Sequence, residues 1–147
     1  MLIKDRLFID FKNAMKTKES LKKNTIQSVR TAVLQEEKDN KVTLSDDQVI
    51  GVIASQVKKR KAALPDFIKS GREDLISELK TEIEILEGYL PVQFTEEELN
   101  QLIADVIGEV GATSMKDMGK VMQVMTEKAN GRADNTLVSQ IVRKLLA

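Results

Sequence analysis

Gly88-Tyr89-Leu90-Pro91-Val92-Gln93-Phe94-Thr95-Glu96-Glu97-Glu98-Leu99 holds a helix stop followed at once by a helix start. Glycine suits the position after a last helical turn, and proline cannot continue the hydrogen-bond ladder, so residues 88–91 close one helix. Thr95 and Glu98 have the spacing of a capping box, with Phe94 and Leu99 placed as its hydrophobic staple, so the next helix opens immediately. Opposed signals this close predict a boundary: an N-terminal helical domain over residues 1–91 and a C-terminal domain over residues 92–147.

Upstream, the apolar residues recur with a helical period. Ile3, Leu7, Phe11 and Ala14 predict a first helix, and Ile26, Val29 and Val33 a second. Ser45 and Gln48 form another capping box, flanked by Leu44 and Val49, and open a third helix with Ile50, Ile53, Val57 and Leu64 as its buried stripe. Pro65 lacks an amide hydrogen and predicts that this helix ends or kinks there. Ser70-Gly71-Arg72-Glu73 restarts the chain, and Leu75, Leu79, Ile83, Leu86 and Leu90 make a fourth stripe. Downstream of Thr95, three short helices are predicted: to Gly111, from the Ser114/Asp117 pair to about Ala129, and from Asp134 onward. Gly111 and Gly131 stand where left-handed caps are usual. Strict alternation never lasts a strand's length, so the predicted class is all-α, with about four helices followed by three.

The 147 residues contain no histidine and no cysteine. Imidazole bases, thiolate nucleophiles, disulfides and His/Cys zinc sites are therefore excluded. No Walker loop, dinucleotide glycine pattern or nucleophile elbow occurs. Glu78 and Glu82 share a helix face, but a di-metal bundle would add Glu-x-x-His; against Mg²⁺ held by carboxylates and water stands an exposed acidic face, which is the expectation, with no metal site and no cofactor. Met1-Leu2-Ile3-Lys4-Asp5-Arg6 mixes charge with apolar residues and does not read as a secretory signal. The longest apolar-plus-glycine run, residues 49–54, is too short to span a membrane. A cytoplasmic protein without membrane partners is the resulting expectation.

The formal charge of zero hides segregation: +4 over residues 1–44, +3 over 45–72, −10 over 73–110 and +3 over 111–147. Lys58-Lys59-Arg60-Lys61 is the densest basic run, readable as a solvated or salt-bridged face or as an RNA contact. On a helix its members spread around the axis, so only two or three can share one surface. Met115, Met118, Met122 and Met125 fall on one helix face, either as core or as an adaptable partner groove.

Gly71-Arg72-x-Asp74-Leu75 with Glu78, Glu82, Ile85-Leu86 and Tyr89-Leu90-Pro91-x-Gln93, then Asp117-Met118-Gly119-Lys120-Val121-Met122 with Gly131-Arg132-Ala133-Asp134, resemble the YqeY-like proteins over essentially the whole chain. The last stretch also resembles the tail domain of GatB, a subunit of the glutamine-dependent transfer-RNA amidotransferase. The resemblance implies a helical N-terminal domain and a three-helix tail that helps hold transfer RNA while other domains do the chemistry. Nothing resembles the kinase-like cradle of GatB or the amidase machinery of its partner subunit. A carbon–nitrogen ligase label would thus be inherited from the tail, and the expectation is a non-catalytic accessory protein associated with transfer RNA, an amidotransferase or another translation-related protein, without DNA specificity. The alternative is an adaptor docking a protein partner through the tail.

Carried over by position, the tail-motif residues are Asp117, Met118, Gly119, Lys120, Met122, Gly131, Ala133 and Asp134. Asp117 and Asp134 suit helix starts, Gly119 would admit a close backbone, and Gly131 would end a helix. The phosphate-binding candidates are Lys116, Lys120, Lys128, Arg132, Arg143 and Lys144, with Lys58, Lys59, Arg60 and Lys61 as a secondary patch.

Overall fold

The computed structural model describes residues 1–147 and is all-α. Its helices are α1 (Ile3–Lys16), α2 (Ser20–Asn40), α3 (Asp46–Ser70), α4 (Glu73–Glu87), α5 (Glu96–Val110), α6 (Met118–Lys128) and α7 (Asn135–Leu146), with a 3-10 turn at Met115–Asp117 before α6. The chain divides into two compact units, Met1–Leu90 and Pro91–Ala147. No helix is long and apolar enough to cross a membrane.

Local chemistry sets most of the helix ends. The Ser45/Gln48 and Thr95/Glu98 capping boxes are both formed, each supplying an acceptor to a first-turn amide that has no partner within its helix. Gly71, Gly111 and Gly131 have φ of 70°, 68° and 73°, the left-handed geometry that glycine adopts without strain. Of the two outcomes expected at Pro65, an end or a kink, the end is not found: α3 runs on to Ser70. Pro65 removes the amide that the Lys61 carbonyl would receive, yet Leu64 and Phe67 on either side pack against the core and hold the helical course. Met115 also departs from expectation. It lies in the 3-10 turn, 44% exposed, instead of continuing the methionine face of α6 into the core.

The first unit closes over Leu7, Ile26, Val29, Val49, Ile53 and Leu86. The α3 stripe begins at Val49, with Ile50 only partly buried, and in α4 it is Ile76 that is buried while Leu75 is half-buried. α1 and α2 run antiparallel across a three-residue link: Lys4 near the start of α1 pairs with Glu37 late in α2, and Phe11 further on meets Arg30 earlier in it. The second unit closes over Leu99, Ile103, Val106, Val121, Met125, Val138 and Val142. Each fully buried aliphatic side chain contributes about 1.5–3 kcal/mol of hydrophobic stabilisation before entropy is counted.

Candidate nucleic-acid interface

The expected phosphate-binding cations fall at four places in the second unit. Lys116 and Lys120 are exposed on either side of the start of α6. The loop before them is fixed by Asp117, whose Oδ2 accepts the Thr113 amide at 3.0 Å. That hydrogen bond holds the Asp117 carboxyl below the usual aspartate range, with weaker help from Ser114 and from the Lys120 charge. Lys128 stands eight residues beyond Lys120, about 12 Å along the helix, and its Nζ lies 3.3 Å from Glu109. Arg143 and Lys144 are exposed in the last turn of α7, where positive charge also complements the helix dipole. Gly119 was expected to admit a neighbouring backbone, but nothing lies within 4 Å of where its Cβ would be. Its side of α6 is open.

Arg132 is used differently. Its Nε donates to the Val92 carbonyl at 2.7 Å, and its guanidinium covers the Phe94 ring at 3.8 Å from the centroid. The Arg132 carbonyl accepts the Phe94 amide at 2.9 Å, and Gln93 Nε2 donates to the Gly131 carbonyl at 2.6 Å. These bonds clasp residues 91–94 onto the turn between α6 and α7. Asp134 completes the turn by accepting the Thr136 amide at 2.9 Å, which caps α7. Pro91-x-Gln93 and Gly131-Arg132-Ala133-Asp134, far apart in sequence, thereby meet in one structural device.

Residues 4–146 match the family described as Yqey-like protein. The chain belongs to the Yqey-like protein family. Among similar proteins, "Altered inheritance of mitochondria protein 41, mitochondrial" of Pyrenophora tritici-repentis is 28% identical over 96% of this chain and 79% of its own length. The protein of that name from Vanderwaltozyma polyspora is 28% identical over 92% of this chain and 77% of its own. That from Kluyveromyces lactis is 39% identical over 60% of this chain and 50% of its own. These names correct the expected cytoplasmic location, because they point to the mitochondrion. A charged, helical, cysteine-free composition suits any reducing aqueous compartment, so composition could not separate the two.

In this Yqey-like chain the basic run of α3 is divided by its own helix. Arg60 turns inward: Nη1 donates to Gln56 Oε1 at 2.8 Å, Nη2 to Ser28 Oγ at 3.2 Å, and Nε lies 3.8 Å from Glu82. Lys61 pairs with Glu87 at 2.9 Å, while Lys58 and Lys59 are exposed. Arg60 and Lys61 thus tie α3 to the acidic α4. Glu82, one of the pair singled out in the sequence, faces Arg60. Of the methionines, Met125 is buried and Met118 and Met122 pack against the second core.

Sequence reading missed several polar ties in this Yqey-like fold, because their partners are distant in the chain. Tyr89 donates its hydroxyl to Asp10, and the Arg6 guanidinium lies 5.0 Å from its ring centroid. Burial, reinforced by the Asp10 hydrogen bond, pushes the Tyr89 hydroxyl well above the usual tyrosine range, so it stays protonated. Asp46 Oδ1 accepts the Ile3 amide at 3.0 Å, capping α1 from another helix. Glu37 accepts from Lys4 at 2.6 Å and from the Leu44 amide at 2.8 Å, and these bonds lower its pKa.

Proposed function

We propose that this chain is a non-catalytic accessory protein that holds transfer RNA through its C-terminal unit, in the service of an amidotransferase or another translation-related enzyme. The observation that carries the reading is the start of α6, where exposed Lys116 and Lys120 flank a Gly119 whose Cβ position is empty. A helical glycine is destabilising by about 0.5–1 kcal/mol relative to alanine, and no packing inside the protein requires it here. Between two cations it leaves room for a sugar–phosphate backbone to approach the start of α6, where the Asp117 carboxylate is already occupied by the Thr113 amide. The resemblance of the tail to the transfer-RNA-holding tail of GatB supports the same assignment. Arg132 and Lys128 contribute mainly to the fold, through the clasp and the Glu109 pair. A partner groove built on the methionines is less favoured, because Met118, Met122 and Met125 face the core.

Gel-shift titration with bulk transfer RNA at two salt concentrations tests the proposal. Binding is expected to weaken steeply with salt, and the Lys116→Ala/Lys120→Ala variant to lose affinity and about one unit of salt slope per lost phosphate contact. Gly119→Ala separates function from stability: the helix gains stability while RNA affinity falls. Unchanged binding in both variants would move the leading role to a protein partner.

A further inference from the structure

The N-terminal unit carries an apolar groove that neither its core nor the RNA reading uses. Along α1, Lys4, Phe8 and Lys12 recur every four residues; along the antiparallel α2, Gln27, Arg30, Leu34 and Lys38 form the facing stripe. Between them lies a cavity of about 110 Å³, lined by Lys4, Leu7, Phe8, Arg30, Val33 and Leu34. That volume is of the order that takes one ring or one branched side chain. Leu7 and Val33 form its buried floor, whereas Phe8 and Leu34 are 47% and 59% exposed. Phe8 and Leu34 are exposed beside the same depression, so with its floor they form one contiguous apolar patch, the kind of surface a partner can cover.

The charged side chains that line the cavity, Lys4 and Arg30, are both positive; Lys4 is neutralised by Glu37 at 2.6 Å, so Arg30, with Lys12 beside it, supplies the positive potential. The Arg30 guanidinium lies 5.1 Å from the Phe8 centroid and 4.8 Å from that of Phe11, and Lys12 Nζ lies 5.0 Å from Phe8. No acid lines the cavity, and the nearby Glu37 carboxylate is already taken by Lys4 and the Leu44 amide. We infer that this groove docks an acidic amphipathic helical segment of a partner protein, one apolar side chain entering between Phe8 and Leu34 and carboxylates meeting Arg30 and Lys12. Helix-in-groove recognition has these elements: an apolar slot for anchors at helical spacing and complementary charge at the rim. A nucleobase fits less well. Two cations already occupy the surroundings of the Phe8 ring where a base would stack, and the lining is mostly apolar.

The full chain can be titrated by fluorescence anisotropy with a labelled helical peptide bearing leucines at i, i+4 and i+7 among glutamates, with a scrambled isomer of the same composition, and with labelled oligouridylate. The patterned peptide should bind more tightly than the scrambled one and weaken with salt. Leu34→Glu, at an exposed position, should reduce its affinity about tenfold by removing the anchor and adding repulsion, and Arg30→Gln should reduce it severalfold. Lys116→Ala/Lys120→Ala should leave peptide binding unchanged, so failure of the RNA reading and failure of this one are separable. Circular dichroism and melting confirm that each variant is folded. Equal binding of patterned and scrambled peptides, or parent-like binding by both groove variants, overturns the inference. Oligouridylate binding with the same dependence on Leu34 and Arg30 overturns it too, making the groove a nucleic-acid surface.

Discussion

The two units solve one problem, closing a small helical core, with different materials. The first uses long helices and ties them with polar side chains reaching across the unit: Lys4 to Glu37, Asp46 to Ile3, Arg60 to Ser28 and Tyr89 to Asp10. The second has no helix as long as α2 or α3 and closes through backbone carbonyls, as Gln93 and Arg132 bind Gly131 and Val92. In the tail, therefore, a motif residue that looks like a nucleic-acid contact can be a closure residue instead. Arg132 has the right charge for phosphate, but its Nε and its ring contact hold residues 92–94 in place. The residues with open surroundings, Lys116, Gly119 and Lys120, are the better guides to what the tail touches.

The sharpest way to break this contrast is to empty one core at a time. Leu86 and Leu99 are 0% and 1% exposed, one in each unit, and truncation of either to alanine should destabilise by about 3 kcal/mol. If the proposed domains at 1–91 and 92–147 melt separately, calorimetry shows each variant lowering a different transition. A single transition lowered equally by both would mean that the units fold as one.

Next in size is the clasp. Arg132→Ala removes a charged hydrogen-bond donor and a ring contact, an expected loss of about 2 kcal/mol in urea unfolding of the C-terminal unit. Arg132→Lys should rescue little, since lysine lacks both the plane that covers Phe94 and the Nε–H that donates to the Val92 carbonyl. Full rescue by lysine would show that charge alone matters at this position.

The smallest effect is that of acid. Glu37 in the first unit is held below its ordinary value of 4.5 chiefly by the Lys4 hydrogen bond, and Glu98 in the second chiefly by that of the Thr95 amide. A carboxyl with a depressed folded-state pKa binds fewer protons folded than unfolded. Its stabilisation is therefore present above the ordinary glutamate range and is lost as pH falls through the lower folded-state value. Glu98→Gln keeps a capping-box acceptor without the charge, so it should flatten the acid limb of melting temperature in the C-terminal unit only. The Glu37→Gln variant should do so in the N-terminal unit only.

What was legible in the sequence was what local chemistry decides. Ser45 and Gln48, Thr95 and Glu98, and glycines 71 and 111 act on backbone groups within a few residues, so these helix ends could be read directly, whereas α6 stops at Lys128 with Ala129 as its cap and Gly131 shapes only the turn that follows. Pro65 does not end α3, because its local penalty is opposed by the packing of Leu64 and Phe67 against the core. The site was less legible. Whether Arg60 faces solvent or Ser28, or Arg132 faces phosphate or Phe94, depends on partners 32 and 38 residues away, and no periodicity encodes them. The exposed Phe8 and Leu34 had no signal at all, because an outward apolar residue on an amphipathic helix looks like an imperfect stripe.

The carboxylate of Asp46 links the beginning of the chain to its own arrival. Leu2 offers no side-chain acceptor at the start of α1, so the Ile3 amide is held by a residue the ribosome adds 43 positions later. Until α3 has docked, the first turn of α1 is free to fray, and nascent chains shorter than this should exchange that amide rapidly. In the finished protein, slow hydrogen exchange at Ile3 would report the cooperative opening of the helices that hold Asp46, making this amide a clock for the whole unit.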